Sequence, residues 1–257
     1  MKKNPNPSMN PQIWVSVLVL LASFTVVHLV YVGVIHPNAT AAMAAYGSEA
    51  QKNIWVILKD PEQQICISLM FYCLFLMGYK LVKLIDEEAI YTQDFLAAHD
   101  KSAALDLQAA LTELESSSYR ENPAMATWIN CIRRFKNTGN VQHAADAIES
   151  SVDSLAASLE SGNSMIKYIT WAVPSIGFIG TVRGIGSALS SADKAISGGD
   201  ITGMVEYLGV AFNSTLVGIF ISLILMFLLH LLNGRQDEMV LKTKDSCERH
   251  LLAHLHE

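Results

Sequence analysis

Four long apolar runs, at residues 13–35, 65–85, 165–190 and 206–233, decide what this chain can fold into. Each approaches or exceeds the roughly 20 residues that a helix needs to cross a bilayer. With 51% hydrophobic and only 16% charged residues, the composition points to an integral membrane protein rather than a soluble enzyme. The first run has no charged residue between Ile13 and Ile35. It is too long for a signal-peptide core and lacks a clear small-x-small cleavage site, so it reads as a retained span. The expected fold is an all-α membrane protein of four transmembrane helices, with a helical cytoplasmic segment between the second and third.

The net charge of −6 says little; the placement of the cations says more. Lys2 and Lys3 precede the first span. Lys80, Lys83, Lys101, Arg120, Arg133, Arg134, Lys136 and Lys167 lie at or between the second and third spans. Arg235, Lys242, Lys244 and Arg249 follow the fourth. The two remaining connections hold only Lys52, Lys59 and Lys194. The positive-inside rule then puts both termini and the middle segment in the cytoplasm. The expected order is a cytoplasmic N-terminus at 1–12, span 13–35, a periplasmic loop 36–64 and span 65–85. A cytoplasmic segment 86–164, a hairpin of two spans at 165–233 and a cytoplasmic tail 234–257 follow. Pro37 and Pro61 mark the edges of the outer loop, which has the length of a hairpin with one short helix.

The middle segment reads as amphipathic helices. Phe95, Leu96, Leu105, Leu107, Leu111 and Leu114 recur at helical spacing. Asn122-Pro123 starts a second helix bearing Met125, Trp128, Ile129 and Ile132, and Asn137-Thr-Gly-Asn140 breaks it. A third carries Val141, Ala145, Ile148, Val152, Leu155 and Leu159 on one stripe, with Gly162-Asn163 a weak point before the third span. The tail reads as a continuation of the fourth span, with Met239, Val240, Cys247, Leu251, Leu252 and Leu255 on its apolar side. Cys66, Cys73, Cys131 and Cys247 show no ligand-like spacing. His250 and His254 have the i, i+4 spacing of a metal pair, but with His256 they read better as exposed terminal histidines. No nucleotide loop, catalytic cluster, cofactor site or nucleic-acid partner is expected.

The chemistry-bearing residues lie in the last two spans. Gly177, Gly180 and Gly184 share one helical face with Thr181, and such a face lets another helix approach closely. Pro174 interrupts the same span. In the fourth span Ala211, Thr215, Gly218 and Ser222 recur at spacings of four, three and four, with Asn213 and Ser214 beside them. Thr181 lies seventeen residues before Gly198 and Thr215 seventeen after it. An antiparallel hairpin turning at Gly198-Gly199 therefore places the two threonines at one depth, in the interior or outer half of the bilayer. Plain helix packing is one reading, since Ser and Thr bond back to their own backbone. A lined path for something polar is the other. No Asp or Glu lies in the interior of the four runs; Glu206 stands at the outer mouth of the fourth, as its first residue. Proton relays normally need a titratable group in the membrane, so a proton-carrying carboxylate would come from another polypeptide. Lys167 and Arg183 bracket only fifteen residues, about 22 Å of helix. Arg183 must snorkel outwards, or face inwards and meet a partner near the outer mouth.

Pro174-Ser-Ile-Gly-Phe-Ile-Gly-Thr-Val-Arg-Gly184 resembles the P-x-x-G-x-x-G-T-V-x-G signature of the MotA/TolQ/ExbB proton-channel family. Ala211-Phe-Asn-Ser-Thr-Leu-Val-Gly218 resembles its second block. The likeness is specific over about residues 165–233 and topological elsewhere. Four spans resemble the flagellar stator subunit more than the three-span TolQ and ExbB. Arg183 replaces a residue that is often aromatic or aliphatic, and Val210 stands where ExbB and TolQ carry an acidic residue. The resemblance implies a homopentamer whose last two spans surround two single-span MotB/TolR/ExbD-like partner helices. A partner aspartate would carry the proton, with Thr181 and Thr215 on its path and proton flow driving rotation. Ser214 and Asn213 are expected beside that path. Gly177, Gly180, Gly184, Ala211, Gly218 and Ser222 are expected to pack the helices around the partner. The expected function is a proton-conducting motor subunit without a cofactor. A sodium-driven subunit of the same family, a self-sufficient transporter and a non-conducting scaffold are the alternatives.

Overall fold

The computed structural model describes residues 9–91, 106–117, 120, 122–198 and 201–252. Lys2, Lys3, Phe95, Leu96, Lys101, Leu105, Gly199, His254, Leu255 and His256 lie outside them. The described residues are helical, in the order α1 Ile13–Val30, α2 His36–Tyr46, α3 Ile54–Ile57, α4 Pro61–Tyr91 and α5 Leu107–Ser116. They continue as α6 Pro123–Thr138, α7 Val141–Gly162, α8 Ser164–Ser190, α9 Ala192–Gly198 and α10 Thr202–Ser246. Four stretches are long and apolar enough to span a membrane: Ile13–Tyr46, Pro61–Glu88, Val141–Ser190 and Thr202–Leu251. The protein is therefore a multi-pass membrane protein with helical segments, α5 and α6, between its second and third spans.

The helices outrun the apolar runs. The first continues through Pro37 to Tyr46 because Tyr31–Ile35 is wound as a π-helix. A wider turn accommodates a proline that lacks an N–H and crowds the carbonyl four residues back. The second starts at Pro61, four residues before the apolar run. Proline suits a first helical position, where its missing N–H would have had no partner. The fourth runs unbroken for 45 residues and passes into a π-helix at Cys247–Leu251.

The chain divides into two compact units. One comprises Met1–Pro11, Tyr79–Ser164 and Leu231–Glu257. Its core joins Ala110, Leu111 and Leu114 of α5 to Met125, Trp128, Ile129, Ile132 and Phe135 of α6. Ala144, Ile148 and Val152 of α7 complete it with Cys247 and Leu251. The local signals are explicit. Asn122 caps α6 by accepting from the Ala124 N–H, with Pro123 following, and Gly139 ends it in the left-handed region at φ 62°. Asn140 caps α7 through the Gln142 and His143 N–H groups. Burial pushes the Cys131 thiol up to about 12, so it behaves as core packing rather than a reactive group. At the C-terminal end of α7, buried Lys80 donates to the Gly162 carbonyl at 3.1 Å and to Asn10 Oδ1 at 2.6 Å. A cation there satisfies a carbonyl that has no partner in the helix. Next to it Asn163 donates to Gln236 Oε1 at 2.6 Å and Asn233 Oδ1 at 2.9 Å.

The other unit, Gln12–Gly78 with Met165–His230, carries α4 as far as Gly78 and the hairpin of α8 and α10.

Candidate functional site

Inside this hairpin the glycine face brings two backbones together. A Cβ on Gly177 would lie 2.7 Å from the Ser214 carbonyl oxygen and 3.3 Å from Thr215 Cα. One on Gly184 would lie 2.7 Å from the Ala211 nitrogen and 2.7 Å from the Tyr207 carbonyl oxygen. One on Gly218 would lie 3.2 Å from Gly177 Cα. The neighbours are main chain and cannot rotate away, so any larger residue must force the helices apart. This is the close approach by which helices pack in lipid.

That approach lets hydroxyls reach the opposite backbone. Thr181 Oγ1 donates to the Ala211 carbonyl at 2.9 Å and is hydrogen-bonded to Thr215 Oγ1. Thr215 Oγ1 reaches the Gly177 carbonyl at 3.4 Å. The two threonines meet, and both are half-buried. Further in, Pro174 has no N–H to offer the carbonyl four residues earlier, that of Thr170. Ser222 Oγ donates to that carbonyl at 3.0 Å from across the hairpin. Ser222 is thus a hydrogen-bond donor at the proline as well as a small packing residue.

Ser214 and Asn213 do not join the threonines. Ser214 is buried, bonds back to the Val210 carbonyl at 2.8 Å and accepts from Gln63 Nε2 at 3.3 Å. Asn213 is two residues from Thr215, which rotates it about 160° away around the helix. Its side chain makes no hydrogen bond among the described residues. Adjacency in sequence hid these rotations.

The sequence also missed the first turn of α4. With the helix starting at Pro61, Glu62 belongs to the first turn of the second membrane-length helix, just ahead of the apolar run 65–85. Glu62 is 7% exposed. Both of its oxygens accept from Arg183, from Nε and from a terminal nitrogen, each at 2.8 Å. Asp60 adds a contact to Arg183 at 3.6 Å, and Lys59 pairs with Glu206 at 3.4 Å. Arg183, whose side chain is 46% exposed, therefore finds its counter-charge within its own chain. Gln63 Nε2 also donates to the Ile57 carbonyl at 3.1 Å.

These contacts give the hairpin two unlike flanks. Gly180, Arg183 and Ser214 face the first turn of α4, where Glu62 Cγ would lie 3.2 Å from a Cβ on Gly180. Thr181 is about 160° around α8 from Arg183, so the hydroxyl pair occupies the flank away from that turn. Among the described residues no group of His, Cys, Asp and Glu is placed to hold a metal ion.

A family model described as the MotA/TolQ/ExbB proton channel family matches residues 103–245, more than half of the chain and including both glycine–threonine blocks. No curated protein and no solved structure matches. With four membrane-length helices and this match, the chain belongs to the MotA/TolQ/ExbB proton channel family and is a multi-pass membrane subunit with an ion-coupled role.

Proposed function

We propose that this chain is the proton-conducting, ring-forming subunit of an ion-driven motor. Five copies would surround two single-span MotB/TolR/ExbD-like partners in a bacterial inner membrane, with both termini cytoplasmic. The observation that carries this reading is the Thr181–Thr215 hydroxyl pair on the half-buried flank away from α4. Each hydroxyl has one proton and two lone pairs. Thr181 can donate to Ala211 while Thr215 donates to Thr181. Alternatively Thr181 donates to Thr215 while Thr215 donates to Gly177. Either arrangement leaves lone pairs free to accept from a protonated carboxyl or to coordinate a cation. The nearby carboxylate of this chain, Glu62, is held by Arg183 on the other flank. The acid that titrates then belongs to a partner helix set against the threonines.

The test is proton flux into vesicles holding the chain together with the single-span protein that co-purifies with it. Thr181→Val with Thr215→Val removes two hydrogen-bonding groups worth about 0.5–1.5 kcal/mol each, so flux drops about 5- to 160-fold. Undiminished flux and motor output in the double variant would sink the assignment. A flux that follows a sodium gradient instead of a proton gradient would reassign the coupling ion.

A further inference from the structure

The first turn of α4 touches both helices of the hairpin, each through a different side chain. Glu62 binds Arg183 of α8 through two parallel hydrogen bonds of 2.8 Å, a geometry that fixes orientation as well as distance. Its neighbour Gln63, fully buried, binds Ser214 of α10 and is itself held by the Ile57 carbonyl. Gly180 leaves the space that the Glu62 stem and Ser214 fill. Each contact resists rotation of one helix about its own axis. Rotation is what the threonine pair cannot tolerate. Thr181 and Thr215 meet only while α8 and α10 both present them to the same flank, and 100° separates neighbouring residues on a helix, as between Ser214 and Thr215.

We infer that Glu62 and Gln63 are positioning residues for the proposed ion path, acting through Arg183 and Ser214 to hold the two threonine hydroxyls in register. Arg183 is then an orientation device whose guanidinium is turned towards the first turn of α4. Its bulk and charge at the Gly180 level are matched by Glu62 and Asp60 of the same chain. This inference rests on the proposed role of the threonines, but its test does not require conduction.

The experiment places cysteines at Thr181→Cys and Thr215→Cys in the full-length protein in membranes. Disulfide formation with copper phenanthroline is scored by loss of maleimide labelling after denaturation. Adding Glu62→Ala and Gln63→Ala is expected to lower the bridging rate at least about tenfold, because a disulfide tolerates little displacement of its Cβ atoms. The size of the complex on native gels should not change. Bridging that is unaffected by loss of both side chains overturns the inference. If the alanine variant fails to accumulate, the exchange Glu62→Arg with Arg183→Glu decides. It must restore accumulation and bridging that Glu62→Arg alone abolishes, and failure to do so overturns the inference as well. Absent flux in the unaltered complex, with bridging still dependent on Glu62 and Gln63, would remove the proposed function and leave the positioning role standing.

Discussion

Two antiparallel helix pairs in this chain are built on opposite rules. In α6 and α7 the contact is made by large side chains, with Met125, Trp128, Ile132 and Ile148 nearly inaccessible and polar residues turned outwards. In α8 and α10 the contact is made by Gly177, Gly184, Ala211 and Gly218, while Phe178, Phe212 and Phe220 point outwards, each more than 60% exposed. The solvent explains the inversion. In water, burying apolar area is worth about 25 cal/mol per Å², so bulk belongs inside. In lipid the surroundings are as apolar as leucine, so bulk gains nothing by being buried. Close backbone contact and hydroxyl–carbonyl bonds do the work instead, and the small inner face leaves room for hydroxyls to meet.

The contrast breaks most visibly if equal truncations are made on the two pairs. Trp128→Ala empties a site that is fully enclosed in the α5–α7 core. Such changes cost about 3–5 kcal/mol. Phe212→Ala removes a ring that is 71% exposed, and exposed sites usually shift stability by no more than about 0.5 kcal/mol. Chemical denaturation of the solubilised protein, followed by tryptophan emission for Phe212→Ala and by circular dichroism for both, measures the pair. Equal costs would mean that the ring of Phe212 is enclosed, as by a neighbouring copy, and that the inversion does not extend to this position.

Glycine substitutions probe the other side of the comparison. Gly184→Leu drives a side chain into the backbone of Ala211 and Tyr207, while around Gly186, two residues on, a Cβ would meet nothing within 4 Å. Overpacking costs about 1–3 kcal/mol, and here the obstacle is main chain. Gly184→Leu should therefore lower the thermal midpoint of the solubilised protein and its accumulation in membranes, with Gly186→Leu close to the unaltered chain. Similar losses in both would mean that an intersubunit contact, rather than backbone approach within the hairpin, sets the requirement for glycine, since helix propensity alone favours leucine at either position.

The sequence reveals each rule to the extent that it is written locally. Spans are legible because an apolar run of twenty residues has few alternatives. The helices α6 and α7 are legible because Asn122-Pro123, Gly139 and Asn140 punctuate them and the apolar stripe recurs on one face. The meeting of Thr181 with Thr215 was legible as a shared depth, because a hairpin turning near Gly198 makes depth a matter of counting. Flank was not legible: Ser214 and Thr215 are neighbours in sequence and both pack on α8, but Ser214 turns to the flank that meets α4 and Thr215 to the other. The partner of Arg183 was hidden for another reason. Glu62 is 121 residues away in a polar stretch that reads as loop, and only the helical start at Pro61 turns it into part of a span. Likewise Pro37 looks like an end because the π-helix that carries the chain past it has no sequence signature of its own.

The smallest expected effect tests whether hydroxyl–carbonyl bonds are part of the rule in lipid. Ser222→Ala removes the donor that reaches the Thr170 carbonyl. Interhelical hydrogen bonds in membranes average about 0.6 kcal/mol, with an upper range near 2, because the unfolded chain in lipid finds partners too. A carbonyl left open by proline has fewer alternatives than most, so a cost of about 1 kcal/mol is expected. Pro174→Ala would give residue 174 an N–H, let the helix satisfy Thr170 by itself and make Ser222→Ala nearly free. A double-mutant cycle on the thermal midpoint isolates that term, since the two sites share the carbonyl and must couple. Coupling of about 1 kcal/mol would mark Ser222 as the replacement for the missing backbone donor. Additive effects would leave it as a small side chain in a tight interface, and the hairpin would then be held by approach alone at that depth.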